Sequence, residues 1–182
     1  MLTGEKVEEF DVDGRNVAFR YPVMEDVDEL LEMINSLVEE GAPITRVEKL
    51  EREDEVEWLS NVLEKMENGR MVYLVVEVDG KVRGSAEVER EDEPPKSHLG
   101  RLGISLREEI RGKGIGTRLM KTVMSEAQEE LGIETVILEV FESNEPAKNL
   151  YEKVGFREAG RVEDGIKREG KYEDYLIMQK EL

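Results

Sequence analysis

Eight short segments rich in apolar residues are bounded by turn residues, and this pattern predicts strands. Two pairs of segments are separated by Asp-Gly, which favours the tight turns of hairpins. The predicted strands span residues 7–11, 15–21, 71–78, 81–89, 99–106, 135–141, 156–162 and 172–179. The first four strands are therefore predicted to form two hairpins, which turn at Asp13-Gly14 and Asp79-Gly80.

Four longer segments repeat apolar residues every three or four positions, which predicts helices. They span residues 27–38, 53–66, 115–131 and 146–154. Glycine follows closely after each of the first three, and Pro146 opens the fourth. Segment 91–97, with two consecutive prolines, is predicted to be a loop. This mixed order, without repeats or a linker, predicts one α/β domain over residues 1–182.

The stretch Arg111-Gly112-Lys113-Gly114-Ile115-Gly116-Thr117 directly precedes and enters the third predicted helix. Alternate glycines let the backbone approach a ligand closely. The following helix directs free N–H groups and its positive dipole end at the loop. The pattern therefore predicts a pyrophosphate cradle, with an ordinary glycine-rich turn as the alternative. Its spacing matches neither the Walker A loop nor the dinucleotide fingerprint.

Basic residues are concentrated around this stretch, although the chain carries a formal charge of −18. The basic residues are Arg101, Arg107, Arg111, Lys113, Arg118 and Lys121. Only Glu108 and Glu109 oppose them within the same part of the sequence. A basic island in so acidic a chain favours a bound anion, and solvated surface residues are the alternative.

A second motif follows the strand at 135–141. It has the form N-x-x-A-x-x-L-Y-x-x-x-G-F and consists of Asn144, Ala147, Leu150, Tyr151, Gly155 and Phe156. The glycine loop has the form Arg/Gln-x-x-Gly-x-Gly/Ala, with Arg111, Gly114 and Gly116. With both motifs in this order, the chain resembles the GNAT superfamily of acyl-CoA N-acyltransferases.

The resemblance implies a strongly twisted mixed sheet of about seven strands, flanked by about four helices. The strands that end at Leu106 and Phe141 would splay apart to admit the pantetheine arm of acetyl-CoA. Main-chain groups of β-strand residues would pair with the pantetheine amides like an added strand. The implied cofactor-binding residues are Ile104, Ser105, Leu106, Arg111, Gly112, Lys113, Gly114, Ile115, Gly116, Thr117 and Asn144. Asn144 could instead cap the helix that follows it.

Acetyl transfer to an amine needs a base for the ammonium and an acid for the departing thiolate. The chain looks most like the branch typified by the ribosomal-protein alanine N-acetyltransferase. That resemblance implies Glu139 as the base, acting through water, and Tyr151 as the general acid. Glu87 and Glu142 are alternative bases. A solvated Glu139 and a core-packed Tyr151 are the structural alternatives.

Acidic residues are frequent in residues 1–65, which include Glu39, Glu40, Glu53, Asp54 and Glu55. We therefore expect a cationic amine acceptor that approaches from the side of the first two helices. Segments 38–71 and 168–175 look more like family branches that act on polyamines, antibiotics or phosphinothricin-type amines. The acceptor is thus either a protein N-terminus or a small amine, and a non-catalytic acyl-CoA sensor is the alternative from another class.

The chain has no cysteine and one histidine, His98, which argues against a disulfide, a thiolate nucleophile or a metal site. We expect His98 to be structural or solvated at the start of a strand. The excess of acidic residues argues against a nucleic-acid partner. Without a membrane-length apolar run or a signal-peptide pattern, we expect a cytoplasmic protein with no membrane partner. The oligomeric state is left open, a homodimer included.

Overall fold

A computed structural model describes residues 3–168 and 170–182. The strands are β1 Lys6–Val12, β2 Arg15–Arg20, β3 Met71–Val78, β4 Lys81–Arg90, β5 Leu99–Leu106, β6 Thr135–Phe141, β7 Arg157–Arg168 and β8 Lys171–Glu181. The helices are α1 Val27–Glu39, α2 Arg52–Glu67, α3 Ile115–Leu131 and α4 Glu145–Val154. Residues 1 and 2, which begin the segment searched for a signal peptide, and residue 169 of the 168–175 tail lie outside the described residues.

The strands form one mixed sheet in the order β1-β2-β3-β4-β5-β6-β8-β7. Neighbouring strands are antiparallel except β5 and β6, which are parallel. This pair has only three matched positions, the last of them Arg101 opposite Ile137. Beyond that position the two strands diverge, which confirms the predicted splay.

Both predicted hairpins are confirmed, and their turns have a clear local cause. Asp13 and Gly14 have φ angles of 54° and 76°, and Asp79 and Gly80 have φ angles of 50° and 77°. The tight turns that match strand twist require positive φ at both central residues, which glycine and aspartate tolerate. The sequence therefore determines these two turns locally.

The two faces of the sheet carry different helices. On one face Tyr73 lies opposite Glu87, which lies opposite Gly103 on the next strand. The ring of Trp58 from α2 contacts Tyr73 there, with centroids 5.4 Å apart. On the other face the start of α3 packs against alternate residues of β5. This packing is close, since a Cβ added at Gly116 would lie only 3.1 Å from the side chain of Leu106. The site between β5 and β6 is therefore accessible to groups from both layers.

Two expectations about the sheet need correction. It has the eight strands that the apolar segments predict, one more than the approximate count of seven implied by the family resemblance. The last two strands are also longer than predicted and reach a turn at Gly170. Most of β7 is exposed to solvent, so the sequence there lacks the apolar alternation by which strands are recognised. Segment 91–97 is a loop that contains one short turn of 3-10 helix at Pro94–Lys96.

Within the described residues, no helix has both the length and the apolar character needed to cross a membrane.

Candidate active site

A cleft of ≈ 1250 Å³ opens where β5 and β6 diverge. Its lining includes the second half of β5, the end of β6, the glycine loop, α4, the α1–α2 connection and residues of α1 and α2. Arg168, from the tail, also lines the cleft and donates a 2.9 Å hydrogen bond to the carbonyl of Ala42. Both segments that set this chain apart in the sequence thus reach the same cleft.

The wall formed by Ile104, Ser105 and Leu106 has one free backbone edge. Its other edge is paired with β4, for example Ser105 with Ser85. Towards β6 the pairing ends at Arg101, so the main-chain groups that follow lie along the cleft. The carbonyl of Leu106 accepts a 2.8 Å hydrogen bond from Nε of Arg111. An extended polyamide arm could pair with this edge as an additional strand would.

The glycine loop combines open space with the start of a helix. Gly112 and Gly114 have φ angles of 73° and 80°, and a Cβ at either would meet no atom within 4 Å. Gly114 is the N-cap of α3, and no side chain caps this end of the helix. The first N–H groups of α3 are therefore available to an anion, as the pyrophosphate interpretation requires.

The remaining loop residues differ in what they can contribute. Ile115 is buried in the core, so only its main chain can face a ligand. Thr117 and Gly116 line the cleft, whereas Lys113 is exposed and does not line it. The structure thus brings most of the predicted loop to the cleft but not the side chain of Lys113.

The basic island is smaller in space than in sequence. Each of its four arginines contacts the carboxylate of a glutamate. Arg101 contacts Glu139, Arg107 contacts Glu32, Arg111 contacts Glu40, and Arg118 contacts Glu8. These partners come from distant parts of the chain. The local sequence therefore overstated the unpaired positive charge.

Asn144 acts as the helix N-cap that the sequence offered as an alternative. Its Oδ1 accepts a 3.2 Å hydrogen bond from the backbone N–H of Ala147. The residue also lines the cleft. Because capping uses the oxygen, the side-chain amide group remains as a donor for a ligand carbonyl.

Glu139 lines the cleft but is tied to an arginine. Its side chain is 47% exposed and forms a 3.1 Å ion pair with Arg101, which also binds Glu91 at 2.9 Å. Arg101 thus holds the Glu139 carboxylate in a solvent-exposed ion pair.

Glu87 is placed differently, on the same cleft. It lies opposite Gly103, where a Cβ would come within 2.2 Å of Oε1, so the glycine leaves the space that the carboxyl group occupies. Burial, and secondarily the charge of Glu89, raises the pKa of Glu87 to about 7. A carboxylate with this pKa can accept a proton near neutral pH. The glycine opposite it was the available signal in the sequence.

Tyr151 lies on α4 and is 7% exposed. Burial, with a smaller contribution from the charge of Glu87, raises the pKa of Tyr151 to about 12. The phenol is therefore protonated at neutral pH and can donate its proton. Glu87 and Tyr151 both line the cleft.

Sequence reasoning placed Glu55 only within a general acidic surface, but the structure buries it. Glu55 is 3% exposed and lines the cleft, and burial outweighs the nearby charge of Arg46 to raise its pKa to about 7. Trp58 and Tyr73 stand beside it. A smaller adjoining cavity of ≈ 350 Å³ shares these two rings and Glu87 with the main cleft.

The other acidic candidates lie outside the cleft or have partners. Glu142 pairs with Arg161 at 2.7 Å and does not line the cleft. Glu39 pairs with Lys49 on the surface. Glu53 is exposed, and Asp54 accepts a 3.0 Å hydrogen bond at the start of α2. The predicted acidic mouth is thus reduced to a few side chains.

His98 is exposed in the turn before β5, and its backbone carbonyl accepts a 3.1 Å hydrogen bond from the N–H of Thr135. Residues 3–168 and 170–182 contain no group of three or more His, Cys, Asp or Glu side chains arranged to hold a metal ion.

Comparison with known proteins agrees with this geometry. A family model described as "Acetyltransferase (GNAT) family" matches residues 31–156. The L-amino acid N-acetyltransferase AaaT of Escherichia coli (strain K12) is 30% identical over 105 residues, which cover 58% of this chain and 65% of that relative. The chain thus spans slightly less than two thirds of that relative.

Two solved structures have the same fold. The ribosomal-protein-alanine N-acetyltransferase from Brucella melitensis has a TM-score of 0.80 at 27% identity, over 90% of this chain and 99% of that one. The phosphinothricin acetyltransferase from Sinorhizobium meliloti, in complex with AcCoA, has a TM-score of 0.80 at 23% identity, over 91% and 88%. The family model covers more than half of the 182 residues. The chain therefore belongs to the GNAT acetyltransferase family and is an N-acetyltransferase.

Proposed function

We propose that this enzyme acetylates a cationic primary amine by direct attack, with Glu87 as the base and Tyr151 as the acid. One observation carries the proposal: a carboxyl group with a pKa of about 7 and a protonated phenol share the cleft, and the charge of the first acts on the second. A general base works best when its pKa lies near the operating pH.

The proton steps balance without a further reactant. The acceptor enters as an ammonium ion and loses one proton to Glu87. Bound acetyl-CoA supplies the activated acyl group, and the C–N bond forms as the C–S bond breaks. Tyr151 donates its proton to the departing sulfur. After the C–N bond has formed, nitrogen loses a second proton, which restores the phenol of Tyr151 through solvent. The products are an N-acetyl amine, coenzyme A and one released proton.

The residues that would hold the donor are those predicted from the sequence. The free edge at Ile104–Leu106 would bind the pantetheine amides, and the loop 111–117 would bind the pyrophosphate. The open space at Gly112 and Gly114 supports this assignment. Arg111 supports it as well, since its side chain lies at the cleft. The side-chain amide of Asn144 would contact the pantetheine arm.

Replacing Gly114 with valine is expected to weaken acetyl-CoA binding by at least about tenfold, because a side chain would occupy the space for the pyrophosphate and disturb the start of α3. Gly132→Val is the matched control. Gly132 caps the other end of the same helix, with φ of 67° and no atom within 4 Å of a Cβ. Both variants should lose similar stability. Calorimetry that finds equal acetyl-CoA affinity in the two folded variants would contradict the assignment.

Two classes of acceptor remain from the sequence, a protein N-terminus and a small amine. Thiol release from acetyl-CoA, measured with a panel of peptides, polyamines and amino acids, tests the proposal directly. A non-catalytic sensor would bind acetyl-CoA and release no thiol with any member of the panel. Retention of Tyr151 in a protonated, buried position favours the enzyme.

The KM of a cationic acceptor is expected to rise severalfold between about 0.05 and 0.5 M salt, because salt screens its attraction to the carboxylates in the cleft. Neutralising Glu39 and Glu40 is not a suitable test, since Glu40 contacts Arg111 of the donor site. Steady-state kinetics with saturating acetyl-CoA at each salt concentration separates the two substrates. A flat KM would mean that the acidity of the chain serves another purpose.

A further inference from the structure

Glu55 is a buried carboxylate without a partner to explain it. Among the described residues no partner bonds the side chain of Glu55, and no fully buried side-chain oxygen lacks a partner, so its carboxylate oxygens open onto the cleft that the residue lines. Burial of the residue raises its pKa to about 7. Burying a charge without a partner costs folding free energy. The neighbouring Leu59 and Val62 already anchor α2 in the core. Glu55 lies in the first turn of α2, where the helix dipole favours a negative charge, but core packing does not require a carboxylate at this position.

The carboxylate of Glu55 faces the cleft at some distance from the transfer site. The charges of Glu87 and Glu55 both raise the pKa of Tyr73, so this phenol lies within electrostatic reach of both. At Tyr151, by contrast, the carboxylate that raises the pKa is Glu87. In the fold, Glu87 lies on β4 opposite Gly103 and lines both cavities, whereas Glu55 lies on α2 and lines only the larger one.

Aromatic rings stand beside the two carboxylates. Trp58 lies one helical turn after Glu55 and meets Tyr73 edge to face, with an interplanar angle of 74°. Although Trp58 is 38% exposed, it lines both cavities. Rings beside a carboxylate favour the methylene groups and the positive charge of an alkylammonium ion. An aliphatic chain could thus extend from one carboxylate to the other.

We infer that Glu55 binds a second cationic group of the acceptor, and that the acceptor is a small aliphatic diamine or polyamine. This inference rests on the proposed function, since one amine must react at Glu87. The second ammonium would form a charge-assisted hydrogen bond with Glu55, whereas a carboxylate at the same position would be repelled. The charge of Arg46 partly offsets the effect of burial by lowering the pKa of Glu55, and no ion pair between the two is recorded among the described residues.

The test compares acceptors that differ only at the far end. For chains of three to six carbons, kcat/KM is measured for the α,ω-diamine, the monoamine and the ω-amino acid. The diamine is expected to exceed the monoamine by about 10- to 100-fold at the best length, because an ionic hydrogen bond in the cleft contributes this much to binding. The difference should lie in KM with kcat nearly constant.

Glu55→Gln should bring the diamine-to-monoamine ratio close to one and leave the monoamine unaffected. Glu57→Gln is the matched control, because it removes one charge from the exposed face of the same helix. The Glu57→Gln variant should retain the preference for the diamine.

A thermal melt of Glu55→Gln supplies a second readout. The raised pKa of Glu55 means that its favourable contribution is present below about pH 4.5 and is lost by about pH 7. Glu55→Gln should therefore raise Tm at pH 8 relative to wild type, but not at pH 4.

Several results would overturn the inference. They are a monoamine that equals the diamine at every length, a ratio that persists in Glu55→Gln, and an ω-amino acid or a peptide as the best acceptor. If no amine is acetylated, the proposed function fails instead. Calorimetric titration of the diamines into the protein saturated with coenzyme A then decides the inference by itself, with loss of binding in Glu55→Gln as the expected result and equal binding as the contrary one.

Discussion

Glu87→Gln is expected to lower kcat/KM for the amine by about 10²- to 10⁴-fold at pH 7.5, with little change in acetyl-CoA affinity. Glutamine fits the space opposite Gly103 but cannot accept the proton of the ammonium ion. Loss of one general base has this size of effect in enzymes. Rapid measurement of thiol release and calorimetry with acetyl-CoA would separate the two quantities.

The pH dependence of kcat/KM provides a second test of Glu87 as the base. Glu87 can accept a proton only when it is ionised, and its pKa is raised to about 7. Wild-type kcat/KM should therefore fall about tenfold per pH unit below pH 7, and this limb should disappear in Glu87→Gln. Because the folded-state pKa lies above the usual range of a glutamate, its favourable contribution to stability is present at low pH and lost by about pH 7. The variant should consequently be no less stable than wild type at pH 8.

Glu139→Gln is the matched comparison. Glu139 lines the same cleft but is 47% exposed and ion-paired with Arg101. We expect a decrease of less than about tenfold and an unchanged pH profile, as for the loss of a surface ion pair. If Glu139→Gln were the variant that lost both the activity and the acid limb, the base implied by the family resemblance would be right and Glu87 would be excluded.

Tyr151→Phe is expected to lower kcat by about 10²- to 10⁴-fold while acetyl-CoA binds normally. Burial and the charge of Glu87 raise the pKa of the phenol to about 12, so it carries its proton throughout the neutral range. Phenylalanine keeps the ring, which packs 6.1 Å from that of Phe156, and removes only the hydroxyl group. The fold should therefore be retained.

The acidity of the leaving thiol makes the Tyr151→Phe test specific for general acid catalysis. A donor thioester whose thiol is more acidic needs less help from a general acid, so it should lose less activity in Tyr151→Phe than acetyl-CoA does. Tyr175→Phe, on β8, controls for the removal of a phenol elsewhere in the sheet. Near-normal turnover by Tyr151→Phe would remove this residue from the mechanism, and equal losses for both thioesters would leave it a positioning role only.

The elements and the donor motif were determined by the sequence itself. α3 at Ile115–Leu131 and β6 at Thr135–Phe141 agree with the prediction residue for residue. Their boundaries depend on neighbouring residues: apolar periodicity, a positive-φ glycine at each end of α3, and turn residues around the strand. The glycine loop likewise needs only its own residues and the helix that follows.

Charge and acidity were decided by the tertiary structure. Arg107 and Arg118 belong to a basic stretch of sequence, yet each pairs with a glutamate more than 70 positions away. In the sequence Glu55 is one member of an acidic segment, and only the packing of α2 buries it. Desolvation and ion pairing depend on what surrounds a group in space, which sequence order does not reveal.

The choice of the strongest candidate base likewise depended partly on the sequence and partly on the tertiary structure. The sequence named Glu139, Glu87 and Glu142 as carboxylates on or beside neighbouring strands. Strand register brought Gly103 opposite Glu87 and left Glu142 outside the cleft with Arg161. A shift of one residue would have sent each side chain to the other face of the sheet. The sequence by itself thus predicted an acyl-donor site at this loop and sheet, whereas only the packing decided which of the candidate carboxylates are desolvated.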